Sequence, residues 1–506
     1  MTSGRPRFEP SPVPSNASPL ALRSDETTWK PLVSCPADFP PEIFRVAILQ
    51  MLLHPEHNST LILRAEILSD TIVDIPALSP CLEGMHASQN IHRKLLPRRP
   101  GRDAGIEQHC TFYQLDEEAS DPSVLVISPI VSAPAQLPYY HPRVVHLAFR
   151  YVHDTAVPLL RIEVLPLPNT PTDLDSRLYR TGLALLDTVH RYGWGALTNY
   201  KKRVEHDCLV ERESYQDIYL IMRERHKHLV NTWCESTDPL KHVFEDIGIA
   251  TYLMLLWKET FAAENGDLPP SAVDKSDPPW KNWPRSPGGF LDLGCGNGLL
   301  VHILTAEGYD GQGIDLRART SWEQYPPSTQ ERLYVHAFDP ESLCSSSSEH
   351  PFFKPGAFII GNHADELTPW VPVISKIRRA SGYLSIPCCA FLFDARFTRS
   401  ATTPFPESLE HGVDEFVQSL HLGGEGATSS YAMYRIWLAS LSLHCGWQIE
   451  CDTLRIPSTR SWAIVGRKRS AEVDSETASE NVERILRQIM ERGVFKPRAP
   501  EGSASH

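Results

Sequence analysis

The chain has 506 residues, of which 41% are apolar and 22% charged, and its formal net charge is −13. That is enough chain for two or three domains with cores of their own, and no run approaches the roughly 20 uninterrupted apolar residues a membrane helix needs. With no apolar stretch behind a basic start at the N-terminus, no membrane partner is expected and a cytosolic or nuclear home follows by default, cytoplasmic being the expectation taken forward.

The 11 cysteines contain no CxxC pair and one adjacent doublet, Cys388 and Cys389. Zinc sites and disulfide frameworks need paired ligands at set intervals, so reduced thiols and no metal are expected. The acidic total does not advertise an anionic partner. Basic clusters nonetheless stand at 92 to 102, 201 to 203, 223 to 227, 376 to 379 and 466 to 469. Each is a solvated face taken alone and a phosphate track if several converge.

In chain order, residues 1–40 are rich in Pro and Ser and are expected to be disordered. Residues 41–170 hold β-branched runs (SVLVISPIVS, RVVHLAFRYV, PLLRIEVLPL) that predict a small β-rich domain, with the basic 92 to 102 stretch as a mobile loop. Residues 171–265 change period: apolar residues three and four apart predict three helices, with Asp173 or Asp175 and Asp238 as caps at two of them. A Pro-dense stretch, 266–288, reads as a linker. From 289 to 469 strand and helix signals alternate, predicting βαβ units in a mostly parallel, doubly wound α/β sheet whose last two strands form an antiparallel pair. Residues 470–506 read as a mobile charged tail in which ENVERILRQIMERG can form one exposed helix.

The first strand of that alternation, FLDLG, runs into Asp292, Gly294, Gly296, Asn297 and Gly298, and the next ends at Asp315. Glycine at alternate positions lets a ligand lie against bare backbone. An acid at the end of the following strand accepts from ribose hydroxyls. Dinucleotide and S-adenosylmethionine sites share this logic, but the spacing is GxGxG and a carboxylate stands inside the first strand. It would repel a pyrophosphate and attract an ammonium and a sulfonium. S-adenosylmethionine is therefore the expected cofactor. Asp339, ending LYVHAFD, is a candidate to face the adenine amine or a turn former before Pro340.

FLDLGCGNGLLVHILTAEGYDGQGIDLRAR, GNHADELTPWVPVIS, the IPCC doublet and DTLRIPSTR together resemble the tRNA (uracil-2'-O-)-methyltransferases, as do NYKKRVEHD, ESYQDIYL and STDPLKHVFEDIGIATYL upstream. The likeness spans about 195 to 469. It implies a Rossmann-like class I methyltransferase domain and 2'-O-methylation of a uridine in the variable arm of serine tRNA; it implies nothing about oligomeric state.

In this architecture the loop after the fourth strand, from Asn362 through Glu366, lies where substrate meets cofactor. Asn362 joins the cofactor candidates. His363 is the candidate base, and Asp365 or Glu366 either orients it or a basic partner, or caps the following helix. His242, Glu245 and Asp246 share helical spacing and either line the cleft or pair charges within their helix. The candidate RNA contacts are Tyr200 with Lys201, Lys202 and Arg203, together with Arg455 and Arg460, because basic groups beside an aromatic suit a phosphate track with a stacked base. Competing expectations are a methyltransferase acting on a protein or small molecule and a non-catalytic RNA-binding scaffold, since fold does not fix substrate.

Overall fold

The computed structural model describes residues 4–14, 17–22, 29–72, 75–76, 79–115, 121–153, 155–200, 204–262, 277–339, 350–399, 403–406, 413–422, 429–471 and 473–493. The chain divides into two compact units, Met1–Lys201 and Lys202–His506.

The first unit is an antiparallel sheet of eight strands, β1 (Ser11–Pro12), β2 (Lys30–Pro36), β3 (Ile62–Thr71), β4 (His86–Pro97), β5 (Ile106–Gln114), β6 (Val124–Ile130), β7 (Val144–Val152) and β8 (Leu159–Pro166), with helices α1 (Pro41–Leu53) and α2 (Arg177–Leu197). The order β1-β2-β8-β7-β6-β5-β4-β3 is a meander from β3 to β8 with β2 closing against β8. Alternation along β6 sends Leu125 and Ile127 to the face where Phe44 and Ile48 of α1 and Leu186 and Val189 of α2 pack. Val124 and Val126 turn to the opposite face, with Trp29, Tyr113 and Ala148.

Four expectations change here. Disorder to residue 40 does not hold for Lys30–Pro36, which pairs with β1 and β8 and buries Leu32, Val33 and Cys35. The basic stretch at 92 to 102 is not one loop, because its first half lies in β4. Arg93 is buried there, donating from Nε to Gln108 Oε1 (2.9 Å) and from Nη1 to the Leu52 carbonyl (2.6 Å). The helix expected to open the 171–265 segment is α2, which packs on the sheet and places the unit boundary at Lys201 rather than near 170. Its cap is Ser176, accepting from the Tyr179 amide, and neither Asp173 nor Asp175.

The second unit begins with α3 (Arg212–His226) and α4 (Pro239–Thr260), the latter capped by Asp238 as expected. Seven strands follow: β9 (Phe290–Leu293), β10 (Gly311–Asp315), β11 (Leu333–Val335), β12 (Phe358–Asn362), β13 (Gly382–Ile386), β14 (Glu450–Thr453) and β15 (Trp462–Gly466). Their order is β11-β10-β9-β12-β13-β15-β14, parallel through β13, with β15 antiparallel to both β13 and β14. Strand order reverses between β9 and β12. On one face α4 and α5 (Leu299–Ala306) bring Ile247, Leu253, Leu300 and Ile303 to Phe290 and Phe358. On the other, α6 (Trp370–Ile377), α7 (Ser430–His444) and α8 (Ser475–Arg492) bring Val371, Ile374, Leu438 and Ile485 to Leu291, Leu293 and Ile359.

Two further expectations are corrected. The segment from 470 on is no free tail as far as Arg492: Val482, Ile485, Leu486 and Ile489 make an apolar stripe along α8 that joins the core. Of the 266–288 linker, residues 266–276 lie outside the described residues, while the rest is tied into the unit by Trp280, fully buried with Nε1 donating to Glu307 Oε2 (3.0 Å). Among the described residues no helix is long and apolar enough to cross a membrane.

Candidate active site

The turn after β9 takes left-handed backbone at alternate positions, with φ of 72° at Gly294, 52° at Gly296 and 73° at Gly298. Only glycine adopts this without strain. The Gly296 amide donates to Asp315 Oδ2 (2.9 Å), so the acid at the end of β10 and the glycine turn form one wall. The carbonyls of the turn are tied back: Trp322 Nε1 donates to Gly296 (2.9 Å), and Ser321 and Tyr325 donate to Asn297 (2.8 and 3.1 Å). A Cβ added at Gly296 would enter open space, whereas one at Gly298 would sit 2.8 Å from Leu333. Gly298 thus serves packing and Gly296 serves access. Asn297 turns its side chain to the start of α5, accepting from the Leu299 amide (2.9 Å).

Alternation along β9 points Asp292 at the face that α4 covers. It is 1% exposed, and burial first and Asp315 second push its pKa up to about 8. From α4, Asp246 is raised too, by burial first and then by Glu245 and Asp292. Asn362, ending β12, donates to Asp246 Oδ1 at 3.5 Å. Asp292 Oδ1 and Asn362 Oδ1 are buried and have no partner among the described residues. Carboxyl and amide oxygens of Asp292, Asp246 and Asn362 thus neighbour one another at the ends of β9 and β12 and on α4, and among the described residues no cation answers the two without a partner. That donor set fits the ammonium and sulfonium of S-adenosylmethionine, with Asp315 for its ribose.

His363 follows Asn362 in left-handed backbone, φ 53°, as does Asp365 at 46°; strain of this kind in a non-glycine residue collects at functional sites. The carboxylate that meets His363 belongs to α4: His363 Nε2 lies 3.2 Å from Glu245 Oε1, and its Nδ1 is buried with no partner among the described residues. Burial raises the Glu245 carboxyl, but hydrogen bonds from His363 and Ser458 outweigh it and hold the group below its ordinary value. With the hydrogen on Nε2 facing Glu245, Nδ1 keeps a lone pair. Asp365 accepts instead from the Cys388 thiol (3.1 Å), and neither it nor Glu366 caps α6, which has no side-chain cap. Burial and Asp365 push the Cys388 pKa up, away from a thiolate.

Among the described residues two groups of donors, unforeseen in the sequence, have ligand atoms within 4.8 Å of one another: Asp365 with Cys388 and Cys389, and Glu205 with Cys208 and His421.

Gly294, Gly296, Asp315, His363, Asp365 and Glu366 open onto one cavity of about 750 Å³, closed further by Arg319, His336, Phe338, Phe391 and Arg396. Asp339 is half-buried beside Phe338 and is not part of that wall. Of the expected RNA contacts, Lys201, Lys202 and Arg203 lie outside the described residues, and Tyr200 is 68% exposed in the first unit. Arg455 grips Asp207 with two hydrogen bonds (2.7 and 2.5 Å), so its charge is answered within the chain. Arg460 is exposed and lies 3.8 Å over the ring of Tyr431. Glu245 and Asp246 reach the site, while His242 stacks on Trp233. Phe391, Arg396, His336 and the Trp322 and Tyr325 braces carried no sequence signal, because isolated aromatic and basic residues in loops have no spacing to read.

Residues 8–203 match the family model described as "TRM44-like, N-terminal bet v1-like domain", and residues 209–274 and 280–340 match "Predicted AdoMet-dependent methyltransferase". The chain is 34% identical over 472 residues to the tRNA (uracil-O(2)-)-methyltransferase of Schizosaccharomyces pombe, covering 87% of this chain and 85% of that one. It is 34% identical over 513 residues to the protein of the same name from Neurospora crassa, covering 93% of each, and 31% identical over 425 residues to that of Saccharomyces cerevisiae, covering 74% and 68%. No solved structure matches. A glycine turn braced for a cofactor, an acceptor-rich floor beneath it and matches along nearly the whole chain agree: the chain belongs to the tRNA (uracil-O(2)-)-methyltransferase family, enzymes dependent on S-adenosylmethionine.

Proposed function

We propose that the chain methylates the 2'-hydroxyl of a uridine ribose in tRNA, in the variable arm of serine tRNA, acting in the cytoplasm on a Rossmann-like class I methyltransferase scaffold. The relatives' shared name supports the reaction, and the motif resemblance supports serine tRNA. The observation that carries the chemistry is that His363, bound to Glu245 through Nε2 and with a buried Nδ1 that has no partner among the described residues, lines the same cavity as the glycine turn.

S-adenosylmethionine supplies a methyl group on a sulfonium centre, already activated for displacement. The remaining work falls to the chain. Gly294, Gly296, Asp315 and the Asp292, Asp246 and Asn362 oxygens hold the cofactor. His363 Nδ1 would take the proton of the 2'-hydroxyl while its oxygen bonds to the methyl carbon and the carbon–sulfur bond breaks with its electron pair left on sulfur, and Glu245 would steady the imidazolium that results. Tyr200, Lys201, Lys202 and Arg203 contact the RNA, with Arg460; Arg455, neutralised by Asp207, is withdrawn from that set.

The test is purified protein with S-adenosylmethionine and a tRNA pool lacking this modification, followed by mass spectrometry of the nucleosides. New 2'-O-methyluridine confined to serine tRNA is the expected result. If no methylated nucleoside forms while the cofactor still binds, the tRNA reading falls and a protein or small-molecule substrate takes its place.

A further inference from the structure

Between β13 and α7 the chain makes a tight hairpin over residues 390–397. An isolated antiparallel bridge joins Phe391 to Arg396, the Leu392 amide donates to Ala395 (2.7 Å), and the Phe397 amide donates to Ala390 (3.1 Å). Its three phenylalanines have different fates. Phe393 packs edge-on to Trp370 with ring centres 4.9 Å apart, and Phe397 is buried against Tyr434 and Trp437. Those two anchor the hairpin in the core.

Phe391 has no such role. It stays partly exposed on the cavity wall, outside the apolar cluster that takes its neighbours Ala390, Leu392 and Phe393. Its ring carries the Arg396 guanidinium at 4.9 Å, and both side chains face the cavity that the glycine turn and His363 share. A second stack is tied to the wall through Pro387 and Cys388, the Cys388 thiol hydrogen-bonding Asp365. The Tyr431 hydroxyl donates to the Pro387 carbonyl (2.5 Å), one residue before Cys388, and the exposed Arg460 lies over that ring. Acids share the wall, Asp365, Glu366 and Asp394, and Asp394 is answered by Arg492 at 3.7 Å.

An aromatic ring with a guanidinium over it, carried on a hydrogen-bonded hairpin and left out of the core, is a surface for a planar, electron-poor ring, and an arginine displayed on a tyrosine presents its N–H edge to a phosphate. We infer that the Phe391–Arg396 pair is the seat of the substrate's target base, a pyrimidine nucleotide unstacked from its neighbours, and that Arg460 on Tyr431 takes a phosphate flanking it. This inference rests on the proposed methyl transfer to RNA.

The experiment compares wild type with Phe391→Leu, Arg396→Lys and Arg460→Ala in steady-state methylation of unmodified tRNA, with cofactor affinity measured by calorimetry. Phe391→Leu keeps bulk without a ring, and Arg396→Lys keeps charge without a plane. Each should lower kcat/KM for tRNA about tenfold, the size of one lost stack, with the cofactor dissociation constant unchanged. Arg460→Ala should raise KM for tRNA and flatten its salt dependence without changing kcat. Should Phe391→Leu fail to fold, Arg396→Lys, on an exposed residue, answers the same question. An active wild type whose Phe391→Leu and Arg396→Lys variants match it in kcat/KM overturns the base seat alone. A wild type that binds cofactor and transfers nothing to tRNA overturns the methyl-transfer reading and this inference with it.

Discussion

The carboxyl of Asp292 ties cofactor binding to pH. Its pKa, about 8 in the folded chain because of burial and Asp315, lies well above the roughly 3.9 of an exposed aspartate. Between those values the folded state keeps a proton that the unfolded state releases, so the cofactor-free protein loses stability as pH rises through that window and levels off above about 8. A cationic ligand selects the ionised form. Affinity for S-adenosylmethionine should therefore rise from pH 6.5 to 8.5, and Asp292→Asn should bind more weakly with the pH dependence gone. Calorimetry at the two pH values decides it; an unchanged slope in Asp292→Asn would place the linked proton elsewhere, with Asp246 next in line. At this scale the glycine turn, Asp292 and Asp315 are legible in the sequence, because they work through local backbone. The His363–Glu245 contact is not: the two residues stand 118 positions apart, and nothing in either neighbourhood names the other. If Glu245 orients the base, Glu245→Gln should lower kcat about tenfold and His363→Ala by about a hundredfold or more, with cofactor affinity kept in both. Loss of cofactor binding in either would make the pair structural.

Helix α8 shows what element-level reading misses. Its sequence is charged enough to suggest a solvated tail, yet Ala478, Val482, Ile485, Leu486 and Ile489 fall on one stripe, and a stripe of that width needs a partner. The partner is α6 and α7, on the face of the sheet away from α4. Leu486→Ala, at a side chain 6% exposed, should cost about 2 to 3 kcal/mol in unfolding free energy, measured in urea; a cost near zero would mean that the helix adds nothing to the core. β4 is the converse case. His92, Arg93 and Lys94 read as a loop because a charge run has no apolar period. They lie in a strand because Gln108 and the Leu52 carbonyl satisfy Arg93 in the core, and neither acceptor can be foreseen from the run itself. Strands β9 to β13 are short apolar segments bounded by turn residues, and they were legible for that reason.

Over the whole molecule a net charge of −13 opposes association with RNA, so binding depends on where the minority of cations stand. Several of them are already engaged within the fold, since Arg93 is internal, Arg455 is answered by Asp207, and Arg467 by Glu450. Of the expected RNA contacts, Arg460 stands exposed on its tyrosine, and the run Lys201, Lys202 and Arg203, which follows the exposed Tyr200 in sequence, lies outside the described residues. Each cation that neutralises a phosphate releases a counterion, so the slope of log affinity against log salt counts such contacts at about 0.7 to 0.9 apiece. Replacing the three with glutamine should weaken tRNA binding and flatten that slope by about 2 units, with cofactor affinity unchanged. A variant with weaker binding and the original slope would show that the run acts through the fold rather than on phosphate. One with neither change would leave it a solvated face, and the electrostatic share of tRNA binding would then have to come from cations such as Arg396 at the cavity and Arg460 on Tyr431.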